Sequence, residues 1–411
     1  MRVNLRQPLR KVCYDGAHRI TTPDETLARL QPIGLRLGIT RLGNITGLDH
    51  IGIPVAIAVR PRSRSVAVSQ GKGLTLAQAK ASALMEAIEL FHGEELVPRL
   101  RFASFARLRA SASVIPLGRL SRTGKRLLPW TEVPWIEGYD LSTGSRSWVP
   151  AELVHTDFAT RPARGSHYFQ ATTNGLASGN HLLEAVSSAV CELVERDAVA
   201  VWEGRSTGLR AACRLDLTSV EDTACLGVLE RYERAGMIVR VWDAISDIAI
   251  PVFLCEIQSR TLDPSAVSRR FRGAGCHPSR AIALSRALTE AAQVRLTHIA
   301  GIRNDIFADA YEDMLEARAG AALLDARAAS LPPRHFRDVP TFESDDIAAD
   351  VRWLLRRLGE AGFGSVVVVD LTRPELDIHV VRAVIPGLEG YSASPEYHPG
   401  PRALQARAQG S

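Results

Sequence analysis

Hydrophobic and polar positions along this chain switch repeatedly between a strand-like and a helix-like spacing. Strand signals fall at 38–45, 53–60, 65–69, 237–242, 249–256, 365–370 and 377–384, with turn residues between them. Segments 135–140 and 145–149 flank Ser142-Thr143-Gly144 and predict a hairpin. Helical spacing predicts helices after Thr22-Pro23 and over 74–89, 219–235, 279–298 and 345–361, with partial helix in 305–336. The stretch 172–179 reads as a loop of small residues that opens another helix. This interleaving argues for α+β layers rather than a simple doubly wound parallel sheet.

The segment after Gly71-Lys72-Gly73 is rich in Ala and Leu, both strong helix formers, and Thr75 is placed to cap it. Ser82, Glu86 and Glu89 stand at i, i+4 and i+7, so they share one narrow stripe among apolar neighbours. A shift of 106 residues superposes this segment on a second: Ser82 on Ser188, Glu86 on Glu192 and Glu89 on Glu195. A weaker third copy follows Gly275, with Arg286, Glu290 and Gln293 at the same spacing. Equal polar stripes on separate helices predict one shared site.

Composition narrows the class. The 411 residues are 46% hydrophobic and 23% charged, as in an ordinary globular protein. No run approaches the ~18 apolar residues of a membrane span, and the N-terminus lacks a secretory core, so a cytoplasmic protein is expected. The six cysteines show no CxxC pair and read as reduced core residues. The net charge of +5 is modest, yet 97–131 holds no acidic residue and eight basic ones. Such a surface suits an acidic peptide, a phosphate or a nucleic acid, or is simply a solvated face. No nucleic-acid motif accompanies it, so a nucleic-acid partner is not expected.

If the helices converge, several carboxylates share a small volume. Two unit charges about 4 Å apart repel by about 4 kcal/mol at an effective dielectric of roughly 20, so the cluster requires protons, cations or metal ions. An oxygen-only ligand set with no His or Cys at metal-binding spacing favours Mg²⁺ over zinc. Mg²⁺ is commonly shared with phosphates, which points to a nucleotide. Arg196 and Arg286 stand beside these carboxylates and suit phosphate oxygens. Lys72 and Asn174-Gly175 precede the first two helices, where backbone N–H groups favour anions; each alone reads as a turn. His277 reads as a cap or core histidine. No Walker A loop, kinase set or convincing GxGxxG is present.

The ordered set Ser82-x-x-x-Glu86-Ala87-x-Glu89, Asn174-Gly175 with Glu184, Glu192-x-x-Glu195-Arg196 and Arg286-x-x-x-Glu290 resembles the ATP-binding signature of the YcaO family, over roughly 36–391. The resemblance implies the fold of that family: α+β, mixed or antiparallel sheets and repeated glutamate-bearing helices around a central ATP site. It implies an N-terminal arm and helix over 1–35, a catalytic domain over 36–391 and a tail over 392–411. It also implies Mg²⁺ on Glu86, Glu89, Glu192 and Glu195, joined by Glu290. Lys72, Ser82, Asn174, Glu184, Arg196 and Arg286 then line the nucleotide.

Peptide-modifying members phosphorylate a backbone amide oxygen and make azolines from Cys, Ser or Thr, or thioamides with external sulfide. Many azoline formers end in PxPxP, whereas the last prolines here are Pro395, Pro399 and Pro401, and no appended leader-binding domain is evident. This resembles stand-alone members that work beside a TfuA-type sulfur-delivery protein. The expected partners are therefore a precursor peptide or protein and such a delivery protein, or a separate leader-binding protein. A homodimer, and a non-catalytic nucleotide-binding scaffold, stay open as alternatives.

Overall fold

The computed structural model describes residues 3–409 other than 97–98, 122, 124, 159–167, 261–269, 302–319, 391 and 393–396. Of the stretch 305–336, expected to be helical in part, 305–319 lie outside the described residues and 320–329 are helical. Two capping boxes start helices where the sequence places them. Thr22 and Glu25 cap α1 (Pro23–Arg36), and Thr75 and Gln78 cap α2 (Leu76–Glu94). The remaining helices are α3 (Phe105–Arg109), α4 (Leu182–Gly204), α5 (Thr207–Ala211), α6 (Thr223–Arg234), α7 (Arg280–Ala300), α8 (Ile347–Glu360) and α9 (Pro401–Ala408).

Among the described residues every strand ladder is antiparallel. One sheet has the order β1 (Arg41–Asn44), β2 (Val55–Val59), β3 (Val68–Lys72). In the largest, β4 (Arg101–Ser104) pairs with β5 (Glu132–Asp140), which also takes β6 (Ser145–Pro150). That sheet continues through β11 (Val367–Asp370) and β12 (His379–Val384) to β7 (Leu176–Gly179). The third sheet has the order β10 (Arg270–Cys276), β9 (Val252–Ser259), β8 (Met237–Asp243). No helix of the described residues is long and apolar enough to cross a membrane.

Two expectations change. Lys72 closes β3 rather than sitting in a turn, and Leu176–Gly179 forms β7 rather than a loop. Both segments are poor in β-branched residues, so their strand character comes from partners: β3 from β2, and β7 from β12, where His379 faces Gly179. The glycines serve close packing. A Cβ on Gly71 would lie 2.1 Å from Ala83 N on α2, and one on Gly275 would lie 2.2 Å from Ala283 O on α7.

Three strand–helix units result: β3–α2, β7–α4 and β10–α7. They close a ring, because α2 also packs on β7, α4 on β10, and α7 on β3. Small residues at the crossings (Ala79, Ala83, Ala185, Ala189, Ala283, Ala287) are buried and let the units approach. The polar stripes consequently face a common centre.

Candidate functional site

Each acidic helix ties one glutamate of its stripe to backbone in or next to its partner strand. Gln70 N donates to Glu86 Oε2 at 2.9 Å, Gly175 N to Glu192 Oε2 at 3.1 Å, and Ala274 N to Glu290 Oε1 at 3.4 Å. The first and third pairs share a separation of 16 residues, so the weak third sequence copy is a geometric copy as well. Glu89 reaches across to the next unit, where Ser178 N and Oγ both donate to its Oε1 at 2.7 Å. Glu195 is buried, with Arg196 Nη1 3.4 Å from its Oε1. Lys72 of the first unit pairs with Glu290 of the third.

The electrostatics follow from this crowding. Burial, then repulsion from Glu86 and Glu192, pushes Glu89 up to about 8 against the Ser178 hydrogen bonds. Glu192 and Glu195 are also raised, by burial first; Glu290 adds repulsion at Glu195, while Arg196 and Arg286 oppose both shifts. Glu290 moves the other way: burial would raise it, but Lys72, Arg196 and Arg286 hold it below its ordinary value. Arg286 is likewise raised despite burial, chiefly by Glu195. Carboxylates that resist ionising while packed together call for added positive charge. Glu195 Oε2 and Arg286 Nε are buried without a hydrogen-bond partner, one free acceptor and one free donor in the same centre. An oxygen-rich donor set bordered by Lys72, Arg196 and Arg286 fits a hard divalent cation with a phosphate chain.

The expected residues distribute as follows. Lys72, Glu86, Glu89, Glu192, Glu195, Arg196, Arg286 and Glu290 are linked by the contacts and charge interactions above. Asn174 lies in the turn whose next residue, Gly175, donates to Glu192. Glu184 is buried and saturated by backbone, with Ile20 N 2.7 Å from Oε1 and Asn180 N 2.9 Å from Oε2. It therefore ties the N-terminal arm to α4. Ser82 is exposed at the open end of its stripe. Its counterpart Ser188 lines a cavity with Arg19, Glu184, His277, Arg286 and Asp350. So histidine does come near the centre, although no local spacing announced it.

At the far wall of that cavity, Lys11 Nζ lies 2.7 Å from Asp350 Oδ2 and 2.9 Å from His18 Nδ1. His18, His277 and Asp350 have ligand atoms within 4.8 Å of one another, but the Lys11 ammonium already supplies the cation there. His277 Nδ1 accepts from Ser279 N at 3.0 Å, a local turn contact just before α7.

Sequence reasoning missed Arg382. It stands in β12, is 3% exposed, and donates through Nη2 to Thr172 O at 2.7 Å. Its Nε and Nη1 have no hydrogen-bond partner. Burial pushes it down to about 10 and Glu192 opposes that shift. The signal was present: a lone arginine inside the apolar run His379–Val384.

The family profile described as YcaO cyclodehydratase, ATP- and Mg²⁺-binding, matches residues 70–389. A Rhizobium leguminosarum bv. trifolii protein, named as uncharacterized in the tfuA 3′ region, is 37% identical over 384 residues, covering 91% of this chain and 89% of that one. An uncharacterized Methanothermobacter thermautotrophicus protein is 33% identical over 392 residues, covering 91% and 96%. Among solved structures, the YcaO of Methanopyrus kandleri bound with AMPPCP and Mg²⁺ superposes with TM-score 0.74 at 23% identity, covering 96% of this chain and 99% of that one. A heterocyclase in complex with substrate and cofactor gives TM-score 0.79 at 23% identity, covering 95% of this chain; the chain spans 55% of that protein. With the profile covering most of the chain and relatives 37% and 33% identical along nearly all of it, the chain belongs to the ATP- and Mg²⁺-binding YcaO cyclodehydratase family.

Proposed function

We propose that the protein uses ATP and Mg²⁺ to O-phosphorylate a backbone amide of a ribosomally made peptide or protein. The observation that carries this reading is the meeting of glutamates from three helices with Lys72, Arg196 and Arg286 in one partly buried centre. In this reading Glu86, Glu89, Glu192, Glu195 and Glu290 hold Mg²⁺. Lys72, Ser82, Asn174, Glu184, Arg196 and Arg286 line the nucleotide, with Glu184 acting through the backbone it anchors. Bound Mg²⁺ supplies charge neutralisation and orientation of the phosphate chain.

An amide is a poor electrophile, so the protein must stabilise charge rather than supply a nucleophile. A substrate thiol, hydroxyl or delivered sulfide adds to the amide carbon with loss of its proton to solvent, and the resulting oxyanion takes the γ-phosphoryl group of ATP, with ADP as the leaving group. Phosphate then leaves with the former amide oxygen. Arg196 and Arg286 neutralise the charge that builds during transfer. No protein side chain is covalently modified. A thioamide product is favoured over an azoline by likeness to the relative named for the tfuA region. A TfuA-type sulfur-delivery protein is the corresponding partner.

The purified protein, incubated with ATP, Mg²⁺, its peptide and the sulfur-delivery partner, should consume ATP and change the peptide mass. Exchange of oxygen for sulfur marks a thioamide, and loss of water marks an azoline. Glu89→Ala and Glu195→Ala should each weaken Mg–ATP binding, measured by calorimetry, by tenfold or more, roughly the loss of one strong charge-assisted contact. Unchanged affinity in both variants would refute the site. Nucleotide binding without turnover under every partner condition would instead identify a scaffold.

A further inference from the structure

The basic segment 97–131 has no part in the centre described above, yet its surface is built in an unusual way. Phe102 on β4 is 67% exposed and Trp130 is 71% exposed, with Leu100 and Leu128 also exposed. Ala106 N donates to Pro129 O at 2.9 Å, which holds the 128–130 turn beside the start of α3. Arg99, Arg107, Arg109 and Arg126 are exposed in the same stretches of chain, and Arg101 is exposed on the opposite face of β4 from Phe102. None of the five pairs with a carboxylate among the described residues. Instead Arg101 lies 5.6 Å over the Trp148 ring and Arg109 5.9 Å over Phe105.

Large exposed apolar side chains close in the chain to exposed arginines without carboxylate partners mark interaction sites. The patch also connects to the centre. Arg119 O accepts from Gly387 N at 2.7 Å, Ser121 O accepts from Gln170 N at 3.3 Å, and Thr123 N donates to Tyr168 O at 3.3 Å. Gln170 leads directly into the Thr172–Gly175 turn beside Glu192.

We propose that this face binds an acidic, apolar-containing extended segment of the polypeptide substrate, outside the amide that is modified. Charge complementarity selects the acidic character, and Phe102 and Trp130 select apolar side chains between the acids. The aliphatic members Leu100 and Leu128 fit a polypeptide better than stacked nucleobases. The inference rests on the amide-activation reading only in treating this partner as substrate.

The test uses the full chain and fluorescence anisotropy with defined probes. They are a labelled peptide of alternating Glu and Leu, the same peptide with Lys for Glu, and a labelled single-stranded RNA. The acidic peptide should bind, and the lysine peptide should not. Phe102→Ala with Trp130→Ala, and separately Arg107→Glu with Arg126→Glu, should each weaken the acidic peptide by tenfold or more, the loss expected when aromatic or arginine anchors are removed. Mg–ATP affinity of both variants should match the unaltered chain, which also verifies folding. No binding of the acidic peptide, equal binding of the lysine peptide, or tighter binding of the RNA overturns the proposal. If Mg–ATP fails to bind the unaltered chain while the acidic peptide does, the function reading falls and this surface stands.

Discussion

At the scale of single residues, neighbours of one chemical type take opposite electrostatic states. Glu290, against Lys72, is held ionised; Glu195, with an unsatisfied oxygen, is pushed toward the protonated form by burial. The same logic governs the N-terminal arm. Burial, then Lys11 and Arg19, lowers His18 from 6.5 to about 4. A base depressed in the fold remains neutral while the unfolded chain protonates. Its contribution is therefore present above the unfolded value and lost as pH falls toward the folded one. Over that window the loss reaches about 3 kcal/mol. His92, lowered to about 4 by burial first, adds in the same direction. His18→Asn should therefore flatten, without abolishing, the fall in urea midpoint between about pH 6.5 and pH 4, the interval set by these values. An unchanged slope would remove His18 as a source.

At the scale of elements, the acidic helices were legible because their information is local: a cap, a run of strong helix formers and glutamates at helical spacing. The strands beneath them were not. Lys72 ends a strand and Leu176–Gly179 is one, because backbone partners and helix contact override weak β-propensity. Glycine records that contact. In Gly275→Ala the new Cβ meets Ala283 O and Ala287 N at 2.2 and 2.5 Å, backbone atoms with nowhere to go. We expect a loss of about 3 kcal/mol in denaturant unfolding, as for overpacking in a tight core. Gly227 in α6 has open space at the Cβ position. Gly227→Ala should be neutral or stabilise by about 0.5–1 kcal/mol. Equal effects at the two positions would refute the close-approach explanation.

At the scale of the molecule, the C-terminal segment is fastened to the helix that carries Glu192 and Glu195. Arg402 Nε and Nη2 lie 2.8 and 2.9 Å from the two oxygens of buried Asp197, and Glu389 Oε1 accepts from Arg402 N and Ala403 N, each at 3.0 Å. Arg402→Ala leaves the Asp197 charge buried and unpaired, so melting should shift down by the equivalent of about 3 kcal/mol or more. Asp197→Asn in the same chain should recover part of it. A single variant as stable as the parent would show the clamp to be dispensable.

The sequence alone determined the three acidic stripes, their shared phase and the class of ion and ligand they suit, because helix periodicity and side-chain chemistry are properties of nearby residues. Tertiary structure decided the rest. It set the cyclic order in which α2, α4 and α7 meet β7, β10 and β3, and it paired Lys72 with Glu290. It also buried Arg382 beneath the Thr172–Gly175 turn and left Phe102 and Trp130 in solvent. Each of those facts depends on contacts between residues far apart in the chain, where neither period nor propensity carries information.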